Sequence, residues 1–255
     1  MLTDSIKLWV EEDNKIPTRF KKAVHIILLA ISLDSDLASV MVMKGGLLMG
    51  IKYGSERFTT DIDFSNNSSL LNTYVDELEN KLNELLLDAQ SDLLNGIKCS
   101  VQSIKKHPKR EDAPFPSLEI KIGYADSENT KQLGRLSNKI SSDIVSIDYS
   151  FNEYTGSTEQ ISLSDDCKIV CYSLTSMIAE KFRSILQQEV RNRNRRQDVY
   201  DLYYLISKYS TGIESEKIIV LQELKDKSIG KGIDDYININ GLDREDIISR
   251  SKQGY

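Results

Sequence analysis

A chain of 255 residues, 40% apolar and 28% charged, is long enough for one large domain or two moderate ones with a real core. Its formal net charge of −6 excludes a whole-molecule field that attracts nucleic acid, so any such contact needs a local basic patch. Two histidines and three cysteines, Cys99, Cys167 and Cys171, exclude a histidine-rich metal centre and argue for reduced thiols over a zinc site.

The first residues, MLTDSIKLWVEEDNK, are acidic and lack a signal-peptide core. The longest apolar run, Val24 to Leu33, is too short to cross a membrane and reads as a buried helix. A soluble, cytoplasmic protein with no membrane partner is expected. Val40 to Met43 then form a short apolar strand that ends at Lys44 and two glycines. Gly46 to Tyr53 fits a short helix with Leu47, Leu48 and Ile51 on one side; Gly54-Ser55 breaks it, and FTTDIDFS (58–65) alternates as a second strand. From Leu70 to Leu94 leucines recur at helical spacing.

Three strand-like runs follow, at 97–106, 116–125 and 143–151, with a proline- and charge-rich connection between the first two and a last short strand at 169–173. Beyond it the sequence is helical. In SLTSMIAEKFRSIL the apolar stripe is Leu174, Met177, Ile178, Phe182, Ile185 and Leu186; in QDVYDLYYLI it is Val199, Leu202, Tyr203 and Ile206. The pattern predicts an α+β fold. Residues 1–165 form a small mixed sheet flanked by helices, and residues 166–255 form a helical C-terminal domain that contributes to the active-site cleft.

Asp61 and Asp63 alternate with Ile62, so both carboxylates leave one face of a strand, about 7 Å apart. Such a pair repels unless a cation lies between, and Mg²⁺ meets that need with oxygen ligands and retained waters. The bland alternative is a solvent-facing strand with two exposed acids. Upstream, Lys44-Gly45-Gly46 entering a helix offers unobstructed N–H groups and a positive dipole end, which suits a triphosphate. Lys181 leaves the helical stripe at 174–186 and either snorkels to the rim or reaches a cleft. Asp198 and Asp201 stand three apart, where acids in a first helical turn also favour the helix dipole. Glu119 and Lys121 share a strand face, and RNRNRR (191–196) places four arginines in six residues.

The stretch KGG…ERFTTDIDFS resembles the motif of the AbiEii/AbiGii toxin family of nucleotidyltransferases, a branch of the DNA polymerase β-like superfamily. Lys44, Gly45, Gly46, Arg57, Thr59, Asp61 and Asp63 fill its positions, with Gly46 where serine is common in the superfamily. AEKFRSI resembles the family's lysine helix, with Ser184 in place of alanine. RRQDVYDLYYLI resembles its R-D segment, with Gln197 inserted between Arg196 and Asp198.

This resemblance implies a nucleotidyltransferase that uses Mg²⁺, or Mn²⁺ in its place, to move a nucleoside monophosphate from an NTP to an acceptor hydroxyl. Asp61 and Asp63, with Glu119 as third acid, would hold the metal. Lys44, Gly45, Gly46, Arg57 and Thr59 would bind the nucleotide. Lys181 would neutralise phosphate charge, Asp198 would orient that lysine or assist deprotonation, and Asp201 would hold nearby backbone or arginines. Arg193, Arg195 and Arg196 would contact an RNA acceptor, tRNA included. The implied setting is the toxin of a toxin–antitoxin or phage-defence pair with a cognate antitoxin. A small-molecule or protein acceptor, and an NTP-binding regulator without turnover, remain open at this stage.

Overall fold

A computed structural model describes residues 5–12, 15–57, 59–70, 74–110, 112–164 and 166–233, with 237 and 249. The chain divides into two compact units, Met1–Glu153 with Glu159–Cys171, and Tyr154–Thr158 with Tyr172–Tyr255. In the first unit the order is α1 (Ser5–Glu11), α2 (Thr18–Leu33), α3 (Ser35–Val40), β1 (Val42–Lys44), α4 (Gly45–Tyr53), β2 (Asp61–Ser65), α5 (Tyr74–Leu93), β3 (Ile97–His107), β4 (Ser117–Asp126), α6 (Thr130–Ser137), β5 (Ile144–Ser150), β6 (Thr158–Ser162) and β7 (Lys168–Tyr172). The second unit is built on α7 (Leu174–Leu186) and α8 (Arg196–Ser228). The expected strand at 58–65 and helix from residue 70 begin partly on Phe58 and Leu71 to Thr73, which lie outside the described residues.

The seven strands form one mixed sheet in the order β3-β4-β5-β2-β1-β7-β6. β2 runs antiparallel to β1 and parallel to β5, and β4 is antiparallel to both β5 and β3. Alternation sorts the two faces. Ile62, Phe64, Ile120, Ile122, Val145, Ile147 and Tyr149 are all fully buried, each contributing about 1.5–3 kcal/mol by leaving water. Asp61, Asp63, Glu119, Lys121 and Asp148 occupy the alternate positions. Helices α2 and α5 pack on each other and on β3, with Ala23 to Ile31 of α2 buried without a break.

β1 is shorter than its apolar run predicts. The Asp34 carboxylate accepts the Leu37 N–H at 2.8 Å, and this cap starts a helix that keeps Val40 out of the strand. Helix α6 and strand β6 have no apolar period to reveal them: α6 buries only Leu136 and is started by Asn129, whose side chain accepts from Gln132 N–H.

In the second unit Ser173 caps α7 by accepting the Ser176 N–H. That helix is buried on nearly every side, Thr175, Ser176, Lys181, Arg183 and Ser184 included, whereas Leu174 and Phe182 are only half-buried. α8 is bent at Tyr209, whose φ of −122° and ψ of 23° leave the helical region. Its predicted apolar face is shifted. Asp198, Asp201, Leu202 and Leu205 are buried, while Val199, Tyr203 and Ile206 are 39%, 72% and 38% exposed. The two acids hold core positions because Lys181 meets them there. Farther along, buried Glu223 accepts from Ser157 N–H at 3.1 Å and from the hydroxyls of Ser157, Thr175 and Ser176. One turn later Lys227 donates to the carbonyls of Tyr154 and Thr155 at 3.2 and 3.1 Å, its ammonium 3.8 Å from the Tyr172 ring centre. These two side chains bind residues 154–157 into the helical unit. Among the described residues no helix is long and apolar enough to cross a membrane.

Candidate active site

β1 ends at Lys44 and turns at once into α4, a change of direction that places Gly45 at φ +79°. This left-handed conformation suits glycine and strains residues with a Cβ. The neighbour supplies a second reason: a Cβ on Gly45 would lie 1.9 Å from Asp63 Oδ2. The helix N-terminus and the second acid of the strand therefore touch. A Cβ on Gly46 would lie 2.3 Å from Arg57 Nη2 and 3.2 Å from Thr59 Oγ1. The structure thus brings Lys44, Gly45, Gly46, Arg57, Thr59 and Asp63 into one cluster, with Asp61 two residues before Asp63 on the same strand.

Register shows what spacing could not. Lys44 is opposite Asp63, Asp63 beside Asp148, Asp148 opposite Glu119, and Glu119 opposite Lys105. Five strands thus contribute one charged row, with rungs about 4.8 Å apart. Asp148, absent from the sequence-based site, is the acid nearest the Asp61-Ile62-Asp63 strand. Alternation in IVSIDYS marks it only as an outward polar residue; strand order makes it a neighbour. Burial first, then the charges of Asp61 and Glu119, raise the Asp148 pKa, with Lys44 and His107 opposing. Glu119 lies one strand farther out, its carboxylate 3.3 Å from Lys121 and 3.8 Å from His107. Lys44 also pairs with Glu153 at 3.7 Å.

Asp61, Asp63 and Asp148 leave the same face of adjacent strands; burial first, and then the charge of Asp61, hold the Asp148 pKa up. Among the described residues, no three acids, histidines or cysteines close a metal cage by themselves. An ion held there would complete its shell with waters and phosphate oxygens, as Mg²⁺ commonly does.

The second unit holds a separate charged cluster. Lys181 Nζ lies 2.7 Å from Asp198 Oδ1 and 2.9 Å from Asp201 Oδ2, with the lysine side chain 8% exposed. It does not snorkel. Burial lowers its pKa, the two carboxylates raise it, and the net shift is upward. Arg195 approaches Asp198 at 3.8 Å. Asp201 also shares the lysine. Arg193 and Arg196 are exposed and Arg195 is half-buried.

A glycine turn at a helix N-terminus lies against the strand carboxylate of Asp63, with Asp148 beside it on the neighbouring strand. A family model described as Nucleotidyl transferase AbiEii toxin, Type IV TA system, matches residues 26–253. The chain belongs to that family and is a nucleotidyltransferase. No curated relative matches it. Among solved structures it is similar to JHP933 from Helicobacter pylori (14% identity, TM-score 0.43, covering 91% of this chain and 85% of that one). A second H. pylori structure, described as a nucleotidyltransferase, is 17% identical with a TM-score of 0.42, covering 91% and 88%. An antigenic nucleotidyltransferase-like protein from Paracoccidioides brasiliensis is 12% identical with a TM-score of 0.40, covering 83% and 93%. The family assignment does not rest on these distant likenesses.

Proposed function

We propose that this toxin-family enzyme moves a nucleoside monophosphate from an NTP to a hydroxyl of an RNA acceptor. The observation behind this reading is the contact between Gly45 and Asp63, which joins a phosphate cradle to a carboxylate row. The N–H groups at the start of α4 receive the β- and γ-phosphates, assisted by Lys44, Arg57 and Thr59. Asp61 and Asp63 would hold Mg²⁺ or Mn²⁺, with Asp148 beside Asp63 on the next strand and Glu119 one strand farther out. A divalent ion bound there supplies charge stabilisation for the α-phosphate and the departing pyrophosphate. The acceptor oxygen attacks the α-phosphorus, the bond from that phosphorus to the bridging oxygen breaks to release pyrophosphate, and the hydroxyl proton passes to water.

The family resemblance gives Lys181 a role toward phosphate charge, and within the second unit Asp198 and Asp201 hold its ammonium. Arg193, Arg195 and Arg196 supply the local basic patch that an acidic chain needs to hold RNA. Tight regulation of such an activity fits a cognate antitoxin.

Incubating the protein with RNA and each α-labelled NTP, with and without added Mg²⁺ or Mn²⁺, tests the proposal. Label on RNA, lost in Asp63→Ala and on chelation of the metal, is the expected result. Label on a protein or small molecule but not RNA overturns the acceptor assignment. NTP binding without any transfer overturns the assigned catalytic roles.

A further inference from the structure

Of the face that sequence assigns to the core of α8, Leu202 is buried but Val199, Tyr203 and Ile206 are exposed. Tyr200 and Tyr203 are 50% and 72% exposed. With Arg196 they occupy positions i, i+4 and i+7, one ridge of the helix. Val199 and Ile206 flank them at 39% and 38% exposure, so the face presented is mostly flat aromatic ring. Immediately before it lie exposed Arg191 and Arg193. Between residues 190 and 208 there are four arginines and one lysine against two acids, Asp198 and Asp201, both buried against Lys181. The exposed charge of this segment is therefore positive in a chain whose total is −6.

We propose that Arg193, Arg196, Tyr200 and Tyr203 form a docking ridge for single-stranded RNA, the tyrosines stacking on bases and the arginines holding phosphates. Cationic side chains beside exposed rings are the chemistry that binds an unpaired strand, because every base offers a π-face and every linkage a negative charge. Tyr200 and Tyr203 are separated by about 4.5 Å along the helix axis, comparable to the roughly 3.4 Å step between nucleotides of one strand. A base-paired partner has its faces already stacked and offers nothing to these rings. Tyrosines and arginines also anchor protein partners, and the acidic-protein arm of the test below separates that occupant from RNA. The inference rests on the RNA-acceptor reading above and gives that acceptor a form: an unpaired segment, held on the helical unit.

The test uses the full chain and a labelled mixed-sequence oligoribonucleotide, with its duplex as comparison. Tyr200→Ala and Tyr203→Ala should each weaken single-strand binding by about 5- to 150-fold, while the phenylalanine variants retain it. Both positions are exposed, so unchanged thermal melting separates loss of stacking from loss of fold. Arg193→Ala and Arg196→Ala should each reduce the salt slope by roughly 0.7. Equal affinity for duplex and single strand overturns the ridge, as do alanine variants that bind like the wild type. It is also overturned if the tyrosine variants lose a co-expressed acidic protein but keep RNA. The outcomes separate from those above: single-strand binding that needs the tyrosines, without label transfer, sinks the catalytic reading and keeps the ridge. Transfer to RNA that ignores both tyrosines does the reverse.

Discussion

Replacing Lys181 with methionine leaves Asp198 and Asp201 buried side by side without their cation. At 2.7 and 2.9 Å, each pair contributes a gross attraction of about 6 kcal/mol at an effective dielectric of roughly 20. Desolvation of three charged groups, several kcal/mol per ion, takes back much of that sum, and breaking a buried pair typically costs about 3–5 kcal/mol. Lys181→Met should therefore lose about 3–5 kcal/mol in urea unfolding. In the wild type the raised Lys181 pKa makes stability depend on pH on the alkaline side. Its contribution is complete below the ordinary lysine value of 10.5 and fades as pH rises through the folded value. Lys181→Met combined with Asp201→Asn should recover most of the loss, since the orphaned charge is removed with its partner. A single-variant loss below about 1 kcal/mol, typical of an exposed pair, with no pH dependence, would refute the buried triad.

Gly45→Ala should lose about 1–2 kcal/mol from left-handed backbone strain. Its Cβ should also displace the Asp63 carboxylate and reduce label transfer by roughly 100-fold; Gly46→Ala, whose Cβ meets the ends of the Arg57 and Thr59 side chains, should be milder in a melt. Asp148 carries a raised pKa, so its ionisation lowers stability as pH rises from the ordinary 3.8 through the folded value. Asp148→Asn should gain on the wild type above that interval and not below it, as urea midpoints across pH would show. Glu223→Ala strands four donors and should cost about 3 kcal/mol or more, with Glu223→Gln losing less, since charged acceptors are the stronger ones. An alanine variant as stable as wild type would show that residues 154–157 are held by something else.

Much of the site could be read from the residues themselves. Ile62 and Phe64 alternate with Asp61 and Asp63, and a glycine pair after a short apolar strand leaves few conformations, so the turn and the outward acids follow locally. Asp148 could not be found this way, because the 79 residues between Phe64 and Ile144 hide that β5 adds beside β2. The α8 face was misjudged for a different reason. Periodicity scores Asp198 and Asp201 as polar and therefore outward, whereas a buried lysine on α7 makes the inward position cheaper for both. Leu202 and Leu205 completed the correct i, i+3, i+4, i+7 stripe all along, masked by the acids that begin it. Strand β6 and helix α6 are short: the first offers one apolar residue, Ile161, and the second only Leu133 and Leu136, too few to set a period by themselves.

The clasp of Glu223 and Lys227 on residues 154–157 also bears on how this chain can be divided. Backbone passes between the two units at three places, after Glu153, after Thr158 and after Cys171, and the brief middle visit supplies acceptors and donors to the far end of α8. A gene fragment starting at residue 172 would encode both long helices but omit Tyr154, Thr155 and Ser157, taking two donors from buried Glu223 and both carbonyl acceptors from Lys227. The helical unit is therefore not a transferable cassette. Exchange between relatives has to move residues 154–158 together with residues 172 onward, or the recombinant inherits a lock without its key.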